Sequence, residues 1–486
     1  MKRLFNGYRV QHGYDEVFES FDRPRHHYRQ LCKRLQDLSL EDFNLKKLQG
    51  DQAFLRQGIT FTVYGDPEQT ERIFPFDLIP RIIPNSEWHH IESGLRQRVL
   101  ALNHFLLDVY GDQKILQDDS HLREHVESSV HFQKDFRGFH PPKDIYIHIA
   151  GIDLIRDQTG TYYVLEDNLR TPSGISYVLE NRIVMNQLFP DLFSEMRVRP
   201  VNHYPAQLSE NLRFLDPLSR ENPTVVLLTP GVFNSAYFEH SFLSSQMGIK
   251  LVEGRDLIVE SDRVFMKTTQ DLEPVDVIYR RVDDAFLDPE VFRSDSVLGV
   301  DGLMRAYRAG NVALANAIGA GIADDKAIYT FVPKMIEYYL SETPILPNVP
   351  TYLCSQEKDL NYVVDHLSSL VVKAVNESGG YGMLMGPTSS TSQQEEFKRK
   401  ILAQPRNYIA QPTISLSHHP CVLSVPDGTN FMAGRHIDLR PFVLWGQDMT
   451  TSLGGLTRVA LQEGSLIVNS SQGGGSKDTW VLYGEG

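Results

Sequence analysis

The run Asp144-Ile-Tyr-Ile-His-Ile-Ala-Gly-Ile-Asp153 is followed, after a polar segment rich in turn residues, by Thr161-Tyr-Tyr-Val-Leu-Glu-Asp-Asn168. β-Branched and aromatic residues bounded by turn residues are typical of paired strands, so this stretch predicts a β-hairpin. In such a hairpin Asp153 and Glu166 lie at neighbouring strand ends. Because side chains alternate along a strand, Glu166 and Asn168 project from the same face.

Two carboxylates and an amide oxygen on one wall form a candidate Mg²⁺ site, because Mg²⁺ prefers hard oxygen ligands. Such sites use about six oxygens, often including phosphate and water. Asp153, Glu166 and Asn168 would therefore leave room for substrate phosphates. The next segment, Leu169-Arg-Thr-Pro-Ser-Gly174, favours this hypothesis, since Arg170 offers a charge partner and the turn offers backbone N–H groups to an anion. An acidic hairpin that faces water is the alternative.

A lysine followed by a glycine-rich loop forms the second candidate. Val371-Val-Lys373 is strand-like, and Asn376-Glu-Ser-Gly-Gly-Tyr-Gly382 follows it. Glycines let backbone amides approach a phosphate chain closely, and the lysine supplies a matching charge. The Walker pattern is absent both here and at Gln472-Gly-Gly-Gly-Ser-Lys477. A plain flexible hairpin is the alternative.

A second lysine, Lys326, follows the stretch Gly319-Ala-Gly-Ile-Ala-Asp324. This stretch lacks the third glycine of a dinucleotide fingerprint and follows a predicted helix instead of a strand, so it does not indicate a Rossmann site. Lys326 is therefore a candidate second nucleotide-binding lysine, with an ordinary surface lysine as the alternative.

Another candidate anion site is Gly434-Arg-His-Ile-Asp-Leu-Arg440. On a strand, His436, Asp438 and Arg440 would share one face, and such a row suits an anionic ligand. An edge strand with solvated charges is the alternative. Arg458 is a further candidate.

The composition limits the classes of function. The chain has 486 residues, 48 Lys plus Arg, 62 Asp plus Glu, and a net charge of −14. This length suggests roughly three domains. An acidic chain is a poor general binder of nucleic acid or of an anionic membrane surface. With no disulfide framework, no signal-peptide core and no run of about 18 apolar residues, we expect a cytoplasmic protein.

Periodicity predicts how the chain is organised. Apolar residues recur every three or four positions between Gly94 and Leu116, which predicts a helix with one buried face. From Asn222 onward, alternating strands and helices predict a small α/β layer, and a helix over about 302–318 leads out of it. Arg280-Arg281 is predicted to lie in a solvated loop, with a substrate pocket as the alternative. The predicted segments are 1–65, a helical extension; 66–220, with the hairpin; 221–320, the small α/β domain; 321–430, with the lysines and the glycine loop; and 431–486, returning core strands.

Together these pieces resemble an ATP-grasp ligase in a rearranged order. An ordinary ATP-grasp chain presents its lysines, glycine loop and hinge before its acidic metal site, whereas the acidic hairpin comes first here. The sequence is therefore similar to the circularly permuted ATP-grasp proteins, including the group related to the synthetase half of glutathionylspermidine synthetase. The specific signatures are Glu166-Asp-Asn-Leu-Arg-x-Pro-Ser-Gly174 and Arg435-x-x-Asp-Leu-Arg-Pro-Phe442, which also occur in a bacterial branch of that family. The resemblance covers about residues 70 to 486.

The resemblance implies an α/β fold of the circularly permuted ATP-grasp type, with an inserted small α/β domain of the pre-ATP-grasp kind. It also implies ATP and Mg²⁺ as cofactors. The lysines would hold the ATP phosphates under the glycine loop, and an adenine hinge would use backbone groups. The implied site residues are Asp153, Glu166 and Asn168 for Mg²⁺; Lys326, Lys373, Gly379, Gly380, Gly382, Tyr408, Ile409 and Gln411 for ATP; and Arg440, Arg170 and Arg458 for catalysis.

One position departs from the family pattern. In glutathionylspermidine synthetases an arginine stands two residues before the first metal aspartate, where this chain has Gly151. The charge of the transition state would then be handled by Arg170 or Arg440, or the activity would differ.

The leading hypothesis is an ATP-dependent carboxylate–amine ligase that forms an amide or peptide bond through an acyl phosphate. Its expected partners are small-molecule or peptide carboxylate and amine substrates, without nucleic acid or membrane. The resemblance also implies a helix-rich protein partner from the same operon. One alternative is a catalytically inactive ATP-binding protein with a regulatory or assembly role. Another is a carbohydrate-active hydrolase that uses Asp153 and Glu166 as paired carboxylates.

Overall fold

The predicted hairpin forms one edge of a six-stranded sheet in the computed structural model, which describes residues 4–5, 8–62, 71–375, 382–424, 430–462, 464–465, 468 and 474–486. The α-helices of these residues are α1 (Arg29–Asp37), α2 (Leu40–Arg56), α3 (Asn85–Tyr110), α4 (Lys114–Asp118), α5 (Ser120–Ser128), α6 (Ile175–Leu188), α7 (Pro190–Met196), α8 (Tyr204–Phe214), α9 (Tyr237–Met247), α10 (Asp284–Leu287), α11 (Leu303–Arg308), α12 (Val332–Leu340), α13 (Glu357–Asp365) and α14 (Thr391–Ala403).

The β-strands, also in chain order, are β1 (Phe18–Ser20), β2 (Arg23–Pro24), β3 (Thr60–Thr62), β4 (Glu71–Ile73), β5 (Phe76–Ile83), β6 (Ile149–Arg156), β7 (Tyr162–Asn168), β8 (Val225–Leu228), β9 (Lys250–Val252), β10 (Leu257–Glu260), β11 (Arg263–Lys267), β12 (Leu272–Pro274), β13 (Val277–Arg280), β14 (Ala313–Ala315), β15 (Tyr352–Leu353), β16 (Leu370–Ala374), β17 (Met383–Met385), β18 (Tyr408–Pro412), β19 (His418–Ser424), β20 (Asn430–His436), β21 (Arg440–Trp445), β22 (Met449–Val459) and β23 (Gly475–Val481).

Strands β6 and β7 are the two strands of the predicted hairpin, which is confirmed. They pair antiparallel, with Asp153 opposite Glu166 and Gly151 opposite Asn168. The side chains that the sequence assigns to one wall therefore start from neighbouring positions of two paired strands.

The first strand of the hairpin begins at Ile149, later than the sequence predicts. In the segment before it, backbone N–H groups bond to asparagine side chains. Asn103 Oδ1 accepts from Tyr146 N at 2.8 Å, and Asn316 Oδ1 accepts from His148 N at 2.7 Å. The apolar run that begins at Asp144 therefore forms a strand only from Ile149 onward, where β21 pairs with it.

The six-stranded sheet has the order β5-β23-β22-β21-β6-β7. Strands β5 and β23 run parallel, and the other neighbours run antiparallel. Because β21 lies beside β6, the residue that opens β21, Arg440, comes close to the hairpin. Strand β22 follows on the other side of β21 and carries Arg458.

Helix α3 is the helix that the periodicity predicts near residues 94–116, and it ends at Tyr110. Its predicted apolar face is fully buried in the largest core cluster, at Leu95, Val99, Leu102, Phe105, Leu106 and Val109. Among the described residues, none of the helices combines the length and the apolar character that crossing a lipid bilayer requires.

The small α/β layer predicted after Asn222 is a parallel sheet of order β14-β13-β8-β9. The helix predicted over 302–318 is wrong beyond Arg308, where α11 ends. Gly310 follows with φ +71°, and Ala313–Ala315 then form β14 beside β13. Pairing with an existing strand outweighs the helical preference of this alanine-rich segment.

A separate four-stranded sheet of order β15-β18-β16-β17 carries Lys373, the lysine that precedes the glycine loop. Val372 of β16 packs into the core of this unit together with Leu384 and Ala410. Because side chains alternate along a strand, the neighbouring Lys373 projects from the opposite face.

The N-terminal segment is held to the central sheet by buried charges. The Glu16 carboxylate contacts Arg81 at 2.7 Å and Arg156 at 3.1 Å. Arg156 ends β6 and also contacts Glu87 of α3 at 3.0 Å. The first strand of the hairpin is thereby tied both to the N-terminal segment and to α3.

The second strand of the hairpin is tied to α3 by a further buried ion pair. Arg98 donates to both carboxylate oxygens of Asp167, at 2.6 and 2.7 Å, and to Asn348 Oδ1 at 2.7 Å. Each side chain of the ion pair is 1% exposed. Asp167 therefore faces α3, and its neighbours Glu166 and Asn168 face the other way.

We predict that Arg98→Met destabilises the fold by about 3–5 kcal/mol, because it leaves the Asp167 carboxylate buried without its partner. Urea unfolding followed by circular dichroism measures this change. Arg293→Met is the matched control, since Arg293 forms its ion pair at the surface, and it should leave the free energy of unfolding nearly unchanged. Equal costs for the two variants would contradict the structural role of Arg98.

Candidate active site

The site-facing side of the hairpin carries the two predicted carboxylates. Asp153 is 1% exposed, whereas the Glu166 side chain is 29% exposed and reaches a cleft. Asn168 is partly buried, and its Nδ2 has no hydrogen-bond partner. Among the described residues, therefore, no hydrogen bond of Nδ2 fixes the orientation of this amide.

The Asp153 carboxylate is held by two guanidinium groups. Arg440 donates to both of its oxygens, from Nε to Oδ1 and from Nη2 to Oδ2, the latter at 2.8 Å. Arg458 Nη2 donates to Oδ2 at 2.6 Å. Burial alone would raise the pKa of Asp153, but the two arginines outweigh burial and lower it. Asp153 is therefore ionised throughout the physiological range.

Arg458 is shared between two buried aspartates. Its Nε contacts both oxygens of Asp438 at 3.0 Å, while its Nη2 contacts Asp438 as well as Asp153. Burial, together with the nearby charge of Asp153, raises the pKa of Asp438 against the effect of Arg458. Arg458 thus links the end of β22 to the hairpin from beneath the cleft.

His436 does not join this cluster, although the sequence predicts one face for His436, Asp438 and Arg440. It ends β20, its Nδ1 lies 3.1 Å from the carbonyl oxygen of Leu416, and its ring packs on His418. The predicted continuous strand is interrupted between β20 and β21. Only Asp438 and Arg440 reach the Asp153 cluster.

The two candidate lysines lie near the carboxylates of the hairpin. Lys326 Nζ lies 3.7 Å from Glu166 Oε2. Burial lowers the pKa of Lys373 to about 8, and the charge of Lys326 adds to this shift while Glu166 and Asp153 oppose it. Residues from three distant parts of the chain, namely the hairpin, Lys326 and Lys373, therefore share one electrostatic environment.

Gly151 explains where the Arg440 side chain lies. A Cβ atom placed on Gly151 would come within 3.3 Å of Arg440 Cδ and 3.0 Å of Pro172 Cβ. The aliphatic part of Arg440 therefore passes over the glycine. A long side chain at position 151 would require Arg440 to move.

Arg170 lies beside the cluster but is committed to other acids. Its Nε donates to Asp324 Oδ2 at 2.7 Å, and Nη1 lies 3.6 Å from Asp283 Oδ1. The backbone N–H of Leu169 also donates to Asp324. Of the three candidate arginines, Arg440 is therefore the one that combines contact with Asp153 and proximity to Glu166, at 4.0 Å.

The predicted hinge strand is β18, which lies between β15 and β16. Leu353 pairs with Ile409, and Tyr408 O accepts from Cys354 N at 3.3 Å. The Gln411 side chain is buried and donates to Thr351 Oγ1 at 3.0 Å. Strand β15 pairs with β18 at Ile409 and Ala410, and an adenine hinge at Tyr408, Ile409 and Gln411 stays a prediction.

The glycine loop is described only at its end. Gly382 has φ +62°, and its carbonyl oxygen accepts from Ala374 N at 3.2 Å. Gly379 and Gly380 lie outside the described residues. Strand β16 thus ends one residue after Lys373, and the described chain resumes at Gly382, directly before β17.

Sequence reasoning missed a buried pair that holds the turn after the hairpin. Arg281 donates to the Pro172 carbonyl at 2.7 Å and contacts Glu239 at 3.2 Å. Glu239 Oε2 accepts from Gly174 N at 2.7 Å and from Ser176 N at 3.1 Å, at the start of α6. The solvated loop predicted for Arg280-Arg281 is wrong, because both side chains are buried. The Arg-Arg pair directly after a strand was the available signal.

The donor set fits a divalent cation. Two carboxylates and an amide oxygen start from paired strands, and Nδ2 of the amide has no hydrogen-bond partner among the described residues. Within the described part of the chain, no group of three His, Cys, Asp or Glu side chains forms a metal site. That finding does not bear on a set in which asparagine supplies the third oxygen.

Comparisons with known proteins give a consistent result. Residues 80–460 match the family described as circularly permuted ATP-grasp type 2. A Synechocystis protein called Uncharacterized protein sll0335 is 55% identical over 472 residues, with 97% of each chain covered. A Frankia casuarinae protein provisionally named glutamate–cysteine ligase 2-2 is 39% identical, and the match covers 96% of this chain but 54% of that protein.

A solved structure shares the fold. A glutathione synthetase-like effector from Globodera pallida superposes with a TM-score of 0.61, at 13% identity, over 92% of this chain and 98% of that chain. At this identity the similarity concerns the fold alone.

We predict that Lys373→Met stabilises the protein by about 1–2 kcal/mol at pH 7, because a lysine with a lowered pKa destabilises the fold while it is charged. The gain should be complete below pH 8, where the folded wild type carries the charge. It should shrink as the pH approaches 10.5, where the unfolded lysine also loses its proton. Thermal unfolding between pH 6.5 and about 10 measures this trend. Lys334→Met, which removes a half-exposed lysine, should give no such gain.

Proposed function

We propose that this chain, which belongs to the circularly permuted ATP-grasp type 2 family, is an ATP-dependent carboxylate–amine ligase. The observation that carries the proposal is the cluster in which Asp153 and Glu166 lie close to Lys326 and Lys373, and we propose that these groups line one cleft with an acidic and a cationic wall. An acidic wall suits Mg²⁺, and a cationic wall suits a triphosphate.

The two walls would act on different parts of Mg-ATP. Lys326 and Lys373 would bind the phosphate oxygens, and the loop after Lys373 would cover them. Asp153, Glu166 and Asn168 would hold Mg²⁺, which when bound neutralises the charge of the phosphates. The contact between Lys326 and Glu166 supports this assignment, because the two walls are only 3.7 Å apart there.

Arg440 would take the part of the arginine that glutathionylspermidine synthetases carry at the position of Gly151. Its side chain passes over that glycine and ends at Asp153, with Glu166 4.0 Å away. A guanidinium group at this place would stabilise negative charge on the transferred phosphoryl group. Arg170 suits this role less well, because Asp324 and Asp283 already engage it.

The reaction would proceed in two steps. A substrate carboxylate oxygen attacks the γ-phosphorus of ATP, and the bond to the β-phosphate oxygen breaks, which gives an acyl phosphate and ADP. An amine then attacks the acyl carbon, phosphate leaves, and the amine loses one proton as the amide forms. Positioning and charge stabilisation account for most of the first step, and exclusion of water protects the acyl phosphate.

The proposed substrates are an amino acid or peptide that supplies the carboxylate, and an amino acid, peptide or polyamine that supplies the amine. The provisional name of the Frankia relative supports an amino-acid carboxylate and an amino-acid amine. Because the reaction consumes ATP, we place it in the cytoplasm.

The alternatives are separated by the state of Asp153. A carbohydrate hydrolase needs a second carboxylate that is free to act as nucleophile or base, whereas Arg440 and Arg458 engage both oxygens of Asp153. A nucleotide-binding protein without ligase activity is favoured only by Gly151. Calorimetry with Mg-ATP distinguishes a hydrolase, which should not bind it, from the ligase and the inactive ATP-binding protein, which should. Release of ADP that depends on an acid and an amine then identifies a ligase.

We predict that Glu166→Gln lowers ADP release at least about 100-fold, because the variant loses a negative oxygen ligand while the side chain keeps its shape. A coupled ADP assay with mixtures of amino acids, peptides and polyamines measures this loss. Glu396→Gln, which changes an exposed carboxylate on α14, is the matched control and should match wild type. Wild-type turnover by Glu166→Gln with every substrate mixture would overturn the metal assignment.

A further inference from the structure

Both carboxylate oxygens of Asp153 are already bonded to arginine side chains. Arg440 bonds to Oδ1 and Oδ2, and Arg458 bonds to Oδ2. A divalent cation prefers the same anionic oxygens at about 2.0–2.1 Å, a distance that does not leave room for a guanidinium N–H along the same direction. Metal binding at Asp153 therefore competes with a bidentate ion pair.

Arg440 and Arg458 differ in what else holds them. Arg458 is 8% exposed, and Asp438 contacts it through both oxygens. Arg440 is 13% exposed, and its one further hydrogen-bond acceptor among the described residues is the carbonyl oxygen of Ser173 at 3.2 Å. Gly151 beneath its stem provides no Cβ that would confine it. Arg440 is thus the partner that can leave Asp153, while Arg458 stays in place.

We propose that Arg440 is an internal counter-cation that occupies the metal-binding carboxylate of Asp153 until a nucleotide triphosphate draws it away. This inference rests on the proposed function, because it assumes that Asp153 and Glu166 bind the metal that accompanies ATP. In nucleotide-free protein, Arg440 keeps divalent metal off Asp153. When the phosphates enter the cleft, they offer Arg440 new oxygen acceptors, and Asp153 becomes available to the metal.

The charges of the cleft support such an exchange. Glu166 also contacts cations of the chain, with Lys326 at 3.7 Å and Arg440 at 4.0 Å. These distances are longer than the 2.8 Å between Arg440 Nη2 and Asp153 Oδ2. The bidentate pair at Asp153 is therefore the main obstacle to a metal, whereas Glu166 stays accessible at the cleft surface.

The consequence is that metal and nucleotide bind as a coupled pair. A ligand that removes a competitor of a second ligand raises the affinity for that second ligand, and the effect is reciprocal. Free Mg²⁺ would bind weakly, because Arg440 occupies Asp153. Free triphosphate would also bind weakly, because the cations of the site are already paired with carboxylates. The site therefore selects the metal–nucleotide complex. Loss of Arg440 would weaken this coupling in a defined direction.

The test measures Mn²⁺ binding, without any turnover. Free Mn²⁺ is quantified by electron paramagnetic resonance in titrations of the full chain, with and without the non-hydrolysable analogue adenylyl imidodiphosphate. We expect Arg440→Gln to bind Mn²⁺ at least about tenfold more tightly than wild type without nucleotide. With the analogue, this advantage should disappear, because Arg440 no longer covers Asp153 in the wild type.

Two variants separate the ion pair from simple charge removal. Lys326→Gln removes one positive charge from the same cluster, and its contact with Glu166 is 3.7 Å long, so its Mn²⁺ affinity without nucleotide should change less than about threefold. Arg440→Lys keeps the charge but loses the bidentate geometry, and it should lie between wild type and Arg440→Gln. Arg440→Lys also serves as the test variant if Arg440→Gln shows an altered unfolding temperature.

The outcomes distinguish this inference from the proposed function. If wild type binds Mn²⁺ tightly with the analogue, and Arg440→Gln and Arg440→Lys bind it like wild type without nucleotide, the counter-cation role is overturned and the ligase proposal stands. An equal gain for Lys326→Gln and Arg440→Gln would also overturn it, since net charge alone would then explain the result. If wild type binds no Mn²⁺ even with the analogue, both proposals fall together.

Discussion

The buried carboxylate of Asp153 and its two arginine partners hold three strands of the central sheet in one arrangement. Arg440 and Arg458 lie 287 and 305 residues further along the chain, on β21 and β22. A charge this deeply buried is unfavourable by several kcal/mol when it has no partner. The hairpin can therefore join the sheet only when both later strands are in register, and an incorrect pairing leaves an uncompensated charge in the core.

Replacing buried ion pairs by well-packed apolar residues is often neutral or stabilising, so the charge of this cluster indicates a function. Lysines are rarely kept partly buried beside other cations, and the lowered pKa of Lys373 reflects that unfavourable setting. On the reverse side of the hairpin, by contrast, the Arg98–Asp167 pair is fully enclosed and serves the fold. Because side chains alternate along a strand, the consecutive residues Glu166 and Asp167 face opposite sides. Glu166 faces the candidate site, and Asp167 stabilises the fold.

Sequence reasoning succeeded where the signal is local. The apolar face of α3 and the one-sided placement of Glu166 and Asn168 follow from helix and strand periods, and the structure has both. It failed where a partner is distant. Nothing near Arg281 in the sequence indicates that Glu239 and the Pro172 turn would enclose it. The strand Ala313–Ala315 was likewise missed, because its conformation depends on β13 and not on its own composition.

The position of β23 between β5 and β22 has a consequence for biosynthesis. Lys477 of β23 is the cation that pairs with Asp77 of β5, 400 residues earlier. At about 5–20 residues per second, a ribosome needs roughly 20–80 s to deliver that strand after β5 has emerged. During this interval the nascent chain exposes an apolar strand edge and an aspartate without its cation. Holding chaperones and a low expression temperature should therefore raise the yield of correctly folded protein.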